Sequence, residues 1–336
     1  MKKFLREILL YLTCLYVAGT FIIYILLKTA PERFLGYYSD FVMWDFQKKV
    51  IASPEKIGRN IIIGDSRAMA DINPAIMGHS FTNLAIAGAS TYEGYLTLKK
   101  ILQSKKIDTL IVSYGAYHYT VSDNFHDMSL PYNFPTITQL SDLESVENKF
   151  GITIDNTPPS TLRILNRRFI YYHIPINNFR ATFVRNLFQR KIDPYTASMS
   201  ANSGHVLFGK KDSSNELSQE IVQTASTKSF SKNPVLILYL DSTIKLAKKN
   251  HICVLMVPPP LNYATYKALE KTQYLTEYNS FLSSFKNQGP AVSLIYLCPY
   301  LPASFFGDRS HLNARGSNYF SNLLKKELEK SNDLRK

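Results

Sequence analysis

Short continuous apolar runs alternate along most of this chain with longer stripes of period 3.6. Asn60-Ile61-Ile62-Ile63-Gly64 is the clearest run: three β-branched residues with nothing polar between them, bounded by Asn and Gly. It reads as a strand buried on both faces. Phe81 to Ala85 and Thr109 to Ser113 read as a second and third strand. Between them, from Thr91 to Ser104, Tyr95, Leu98, Ile101 and Leu102 recur at helical spacing. The pattern resumes with a predicted helix over Val235 to Lys249, a strand over Ile252 to Val257 stopped by Pro258-Pro259-Pro260, and a helix over Thr265 to Phe285. A strand over Val292 to Leu297 follows, and Asn313 to Lys330 closes the chain with a stripe of Tyr319, Phe320, Leu323, Leu324 and Leu328. Strands separated by helix-length segments pair in parallel through right-handed crossovers. The expectation is therefore an α/β domain around a doubly wound, five-stranded parallel sheet.

Two regions break the alternation. Ile8 to Leu27 runs about 20 residues without a charge, long enough to cross ~30 Å of hydrocarbon. Lys2, Lys3 and Arg6 precede it and would stay in the cytoplasm, so the bulk of the chain would be exported behind an uncleaved single-pass anchor. The second region, Thr120 to Lys232, is too long for a bare loop and reads as an inserted subdomain or lid. The organisation that follows is a cytoplasmic stub and transmembrane anchor at 1–28, a juxtamembrane segment at 29–59, the α/β domain at 60–119 and 233–332, and the insertion at 120–232. The juxtamembrane segment carries Phe34, Tyr37, Tyr38, Phe41, Trp44 and Phe46, which suit either a collar at the interface or packing against the domain.

Charge narrows the partners. The 336 residues carry a formal net charge of +13, which attracts anionic partners: nucleic acid, lipid headgroups or anionic envelope polymers. Predicted export removes nucleic acid from that set. Arg163, Arg167, Arg168, Arg180, Arg185, Arg190, Lys191, Lys210 and Lys211 lie among aromatic residues of the insertion and fit either a grip on an anionic polymer or a solvated basic face. The three cysteines, Cys14, Cys253 and Cys298, have no zinc-ligand spacing and imply no disulfide framework.

The candidate chemistry sits at the two ends of the domain. After the first strand, Gly64-Asp65-Ser66-Arg67 would present the Ser66 hydroxyl at the carboxyl edge of the sheet, where open α/β folds bind ligands. A serine needs a base to become a nucleophile. Asp308-Arg309-Ser310-His311 offers one, with a carboxylate three residues before an imidazole, so that Asp308 can orient His311 and stabilise its cation. The plainer readings are a turn or cap serine for Ser66 and a cap of the last helix for Asp308. Asp65 reads as fixing the turn, and Arg67 either as a contact to a substrate phosphate or carboxylate or as a structural ion pair. His118, Asp123, His126 and Asp127 follow the third strand and read as loop residues rather than metal ligands.

The ordered pair of Gly-Asp-Ser and Asp-x-x-His resembles the SGNH (GDSL-type) hydrolase superfamily. That resemblance implies a flavodoxin-like sheet, a Ser66, Asp308 and His311 relay, no cofactor or metal, and an oxyanion hole from the Ser66 N–H, the Gly88 N–H and a side chain after the third strand. In Gly115-Ala116-Tyr117-His118 this chain has Tyr117 where the family has asparagine. It further implies a membrane-anchored, extracytoplasmic serine esterase or O-acyltransferase acting on an acylated envelope glycan or related polymer, beside a membrane-bound O-acyltransferase. The alternative is a non-catalytic binding or assembly subunit for an anionic envelope polymer.

Overall fold

The computed structural model describes residues 2–30, 39–171, 195–218, 220–221, 229–289 and 291–333. Five parallel strands, β1 (Asn60–Gly64), β2 (Phe81–Asn83), β3 (Thr109–Ser113), β4 (Cys253–Met256) and β6 (Val292–Leu294), form one sheet in the order β2-β1-β3-β4-β6. Two shorter strands, β5 (Leu261–Asn262) and β7 (Tyr300–Leu301), pair in parallel beside it. Alternate residues of the central strands serve two cores. Ile62, Ile111 and Leu255 join one, while Ile61, Ile63, Leu110, Val112, Val254 and Met256 join the other. Continuous apolar runs are what two-sided burial demands.

The strands β2, β4 and β6 are shorter than their apolar runs. β2 ends at Asn83 rather than Ala85 because the Asn83 carboxamide takes over: Oδ1 accepts from Ala85 N at 3.0 Å. The single helix expected over Thr265 to Phe285 is instead two, α7 (Tyr263–Leu269) and α8 (Gln273–Ser283). Thr272 is extended and its hydroxyl accepts from Leu275 N, so the chain restarts there as a capped helix.

An N-terminal helix, α1 (Lys2–Thr29), contains a 24-residue stretch from Lys3 to Leu26 that is long and apolar enough to span a membrane, about 36 Å at 1.5 Å per residue. None of that apolar stretch is buried among the described residues. The next helix, α2 (Ser39–Ile51), is different: Trp44 is fully buried, with its ring 4.4 Å from Phe134, and Phe41 meets Tyr132 at 5.8 Å. Of the two readings of the juxtamembrane segment, its described half thus packs on the domain. Phe34, Tyr37 and Tyr38 lie outside the described residues.

Phe125, Leu130, Phe134, Leu140, Leu143 and Ile154, all from the interrupting region, join the core that contains Ile62 and Ile111. The helix α5 (Ile137–Phe150) in this region begins with a reciprocal cap between Thr136 and Gln139. Acidic residues of this helix and of the loop after it neutralise the arginines that follow. Arg167, 1% exposed, forms a two-pronged pair with Glu147 at 2.6 and 3.1 Å, Arg168 pairs with Glu144, and Arg163 with Asp155. These three are tied to carboxylates of the same region. Arg180, Arg185, Arg190 and Lys191 lie outside the described residues, whereas Lys211 pairs with Glu216 on the surface.

Candidate active site

Ser66 follows β1 as the first residue of the short helix α3 (Ser66–Asp71). Only glycine fits at position 64, because a Cβ there would lie 2.0 Å from the Ser113 carbonyl oxygen of the neighbouring strand. The turn is fixed by Asp65, which is fully buried and accepts from Arg67 N at 2.8 Å through Oδ1 and from Gly115 N at 2.7 Å through Oδ2. One carboxylate thereby joins the ends of β1 and β3 and aims Ser66 out of the sheet edge.

His311 reaches that serine from 245 positions away. The Ser66 hydroxyl donates to His311 Nε2 at 2.8 Å, and His311 Nδ1–H donates to Asp308 Oδ2 at 2.8 Å. The other oxygen, Asp308 Oδ1, accepts from the N–H groups of Ser310 and His311, each at 2.8 Å. Burial alone would raise the Asp308 pKa, but the hydrogen bond and charge of His311, with those two N–H groups, bring it down to about 2. An ionised Asp308 fixes the tautomer: Nδ1 keeps its proton and Nε2 is free to take one. The loop is pinned by a bridge between buried Phe306 and Leu312 and by Gly307 N donating to His311 O at 2.9 Å.

Gly88 sits after β2 in the left-handed region (φ +72°), where glycine is at ease and other residues are strained. Ile86 N donates to Gly64 O at 3.1 Å, so Gly88 and Ser66 each lie two residues beyond a shared hydrogen bond. Neither the Ser66 N–H nor the Gly88 N–H has a partner among the described residues. Tyr117, by contrast, donates its hydroxyl to Asp123 Oδ2 at 2.6 Å. That bond holds the turn in which the next residue, Asn124, brings its carboxamide nitrogen to 3.3 Å from where a Gly88 Cβ would stand. The Asn124 carboxamide has no hydrogen-bond partner among the described residues. Sequence position hid it, because it lies nine residues beyond Gly115.

Arg67 is not at an open surface. Its guanidinium is 8% exposed and pairs with Glu220, itself 1% exposed, alongside Asp65. Burial works against both charges, yet their attraction raises the Arg67 pKa and lowers that of Glu220. This is the ion pair that one of the two readings expected. His118 Nε2 lies 3.4 Å from Asp65, and His126 sits between Arg167 and Asp155. Burial, with Arg167 and Arg163, lowers the His126 pKa to about 3.

Several supporting residues were not foreseen. Asn83 Nδ2 donates to the Ala68 and Ile72 carbonyls, both at 2.9 Å, locking α3. Buried Asp71 accepts from Leu312 N at 3.0 Å, tying the serine helix to the histidine loop. Desolvation by burial raises the Asp71 pKa well above the usual carboxylate value. A strap from the interrupting region crosses the same loop: Val206 N donates to Met69 O, Lys211 N to Gly307 O and Ser214 N to Ala303 O, while the Phe208 ring lies 5.0 Å from that of His311. Comparison of the chain with known protein families and with characterised proteins finds no match.

Proposed function

We propose that this chain is an SGNH-type serine esterase or O-acyltransferase with a flavodoxin-like domain, held by α1 on the outer side of a membrane and acting on acyl esters of a cell-envelope polysaccharide. The observation that carries the reading is the continuous relay of Asp308, His311 and Ser66, with both contacts at 2.8 Å. A turn serine or a capping aspartate needs no oriented imidazole between them, and a non-catalytic subunit has no use for the relay. The strand order and the placement of the two motifs at opposite ends of the domain also support the family reading.

The geometry supports the following chemistry. Ser66 Oγ attacks the acyl carbonyl carbon as His311 Nε2 takes its proton, and ionised Asp308 stabilises the imidazolium. The carbonyl oxygen becomes an oxyanion facing the N–H groups of Ser66 and Gly88 and the Asn124 carboxamide. Collapse breaks the ester C–O bond, and His311 returns the proton to the leaving alkoxide, which departs as an alcohol. The acyl group, now on Ser66, passes to water or to a sugar hydroxyl whose proton His311 accepts; a carboxylic acid or a new ester leaves. A membrane-bound O-acyltransferase beside α1 would supply the acyl group in the transfer mode. No step needs a metal or cofactor.

The test is rapid-quench reaction of the full chain with p-nitrophenyl acetate, followed by mass mapping. The proposal expects a burst of nitrophenolate and an acetyl group on the Ser66 peptide; adding sugar acceptors then separates release of acetate from formation of an acetylated sugar. Folded protein that never carries acetyl on Ser66 contradicts it.

A further inference from the structure

A cluster of tyrosines lies beside the catalytic loop and takes no part in the relay. Outside α1, the large aromatic side chains exposed among the described residues are Phe150, Tyr263, Tyr296, Tyr300 and Tyr319. Three of these five share one patch. Pairing of β5 with β7 sets Leu261 opposite Tyr300, and the rings of Tyr263 and Tyr266 then lie 5.3 and 4.6 Å from that of Tyr300. Tyr296 neighbours Tyr266 in the same patch. Tyr263 keeps 44% of its surface exposed and Tyr300 37%. Apolar surface gathered this way and left in water marks a contact site.

The patch is built onto the catalytic loop. Asn262, buried between Leu261 and Tyr263, donates through Nδ2 to Arg309 O and Glu216 O, both at 2.7 Å. Arg309 follows Asp308 directly, is exposed, and has no carboxylate partner among the described residues. Lys267 lies over Tyr263 at 5.8 Å, adding a second cation, though one already paired with Glu270. A sugar ring matches this surface: its C–H face, polarised by the ring oxygens, rests on the electron-rich face of an aromatic ring, and its hydroxyls meet phenols at the rim.

We propose that Tyr263, Tyr266 and Tyr300 form a stacking subsite for a sugar of an acidic polysaccharide, with Arg309 facing its carboxylate and the acyl ester of the same chain lying at Ser66. This assignment rests on the reading of Ser66 as the nucleophile toward a glycan ester, and it names the class of that glycan.

The test is fluorescence anisotropy with full-length, detergent-solubilised protein carrying Ser66→Ala, so that the ester survives the measurement. The probes are fluorescein-labelled O-acetylated alginate hexasaccharide and O-acetylated xylohexaose, acidic and neutral. Tighter binding of the acidic probe is expected, weakened about tenfold by Tyr300→Ala or Tyr263→Ala. Tyr300→Phe, which keeps the ring, stays near the parent value, and Arg309→Gln removes the preference for the acidic probe. Phe150→Ala deletes an exposed aromatic ring elsewhere and should change nothing. Absence of binding, an unchanged Kd in Tyr300→Ala, or equal weakening by Phe150→Ala would overturn the subsite. Ser66 acylation without glycan binding removes the subsite and leaves the chemistry, whereas glycan binding by a chain that never acylates does the reverse.

Discussion

Replacing Asn124 by alanine should slow acyl transfer to Ser66 by a factor of about 100 to 1,000. The magnitude follows from the donors present. Two backbone N–H groups, of Ser66 and Gly88, and one side-chain amide, of Asn124, are unpartnered on this edge of the sheet among the described residues. A preorganised oxyanion donor is worth roughly 3 kcal/mol in the transition state, which converts to that factor. Tyr117 occupies the position where the resemblance led one to expect a donor, but its hydroxyl is committed to Asp123 at 2.6 Å. Tyr117→Phe loses a hydrogen bond worth about 1 kcal/mol net, so its effect should stay within about tenfold, acting through the Asp123-Asn124 turn. The assay is kcat/KM for p-nitrophenyl acetate together with the second-order rate of fluorophosphonate inactivation, each variant checked for folding by its thermal transition. The loss should fall on kcat, since the donor acts on charge that exists only in the transition state. The reasoning is refuted if Asn124→Ala stays within about threefold of the parent, or if Tyr117→Phe shows the larger loss.

Three further outcomes follow from the same contacts. Glu220→Gln leaves the Arg67 guanidinium buried without its main partner and should cost about 3 kcal/mol in chemical denaturation, whereas Arg67→Met combined with Glu220→Leu should recover most of it; equal loss in both contradicts the pairing. The Asp308 pKa is lowered from 3.8 to about 2, so its contribution is present above pH 3.8 and disappears as the pH falls through 2. Because its side chain is 33% exposed, the discounted advantage of the parent over Asp308→Asn is about 1–2 kcal/mol at pH 6, converging to none below about pH 2 in unfolding titrations. Asp71 is shifted the other way: its share of stability is full below pH 3.8 and is lost as the pH rises toward its raised value. Asp71→Asn keeps an acceptor for Leu312 N without that loss and should raise the thermal midpoint at pH 7, while Asp71→Ala lowers it.

What could be read from the sequence was what local chemistry dictates. Ile61 to Ile63 and Leu110 to Val112 announced buried parallel strands because both their faces are covered, and the five-stranded parallel sheet formed from the runs expected to build it. The site's ends were legible for a similar reason: the Asp65 turn and the Asp308-to-His311 spacing are short-range features whose geometry a few residues determine. Contacts between distant segments were not. Nothing near Arg67 in sequence points to Glu220, 153 residues on, and nothing near His311 points to Phe208. Asn124 was hidden because a tyrosine-to-aspartate bond, rather than a motif, puts it beside Gly88. The break between α7 and α8 was missed because an apolar stripe continues across a Thr272 cap whose effect is purely local.

The most direct test of the central claim is labelling of the full chain with a serine-directed fluorophosphonate, followed by mass mapping of the modified peptide. The relay predicts a single modified residue, Ser66, with labelling abolished in Ser66→Ala and slowed by at least about 1,000-fold in His311→Ala, because without Nε2 the hydroxyl stays protonated. Folded parent protein that resists the reagent, or that labels at Ser66 equally fast without His311, would contradict an activated nucleophile at this site.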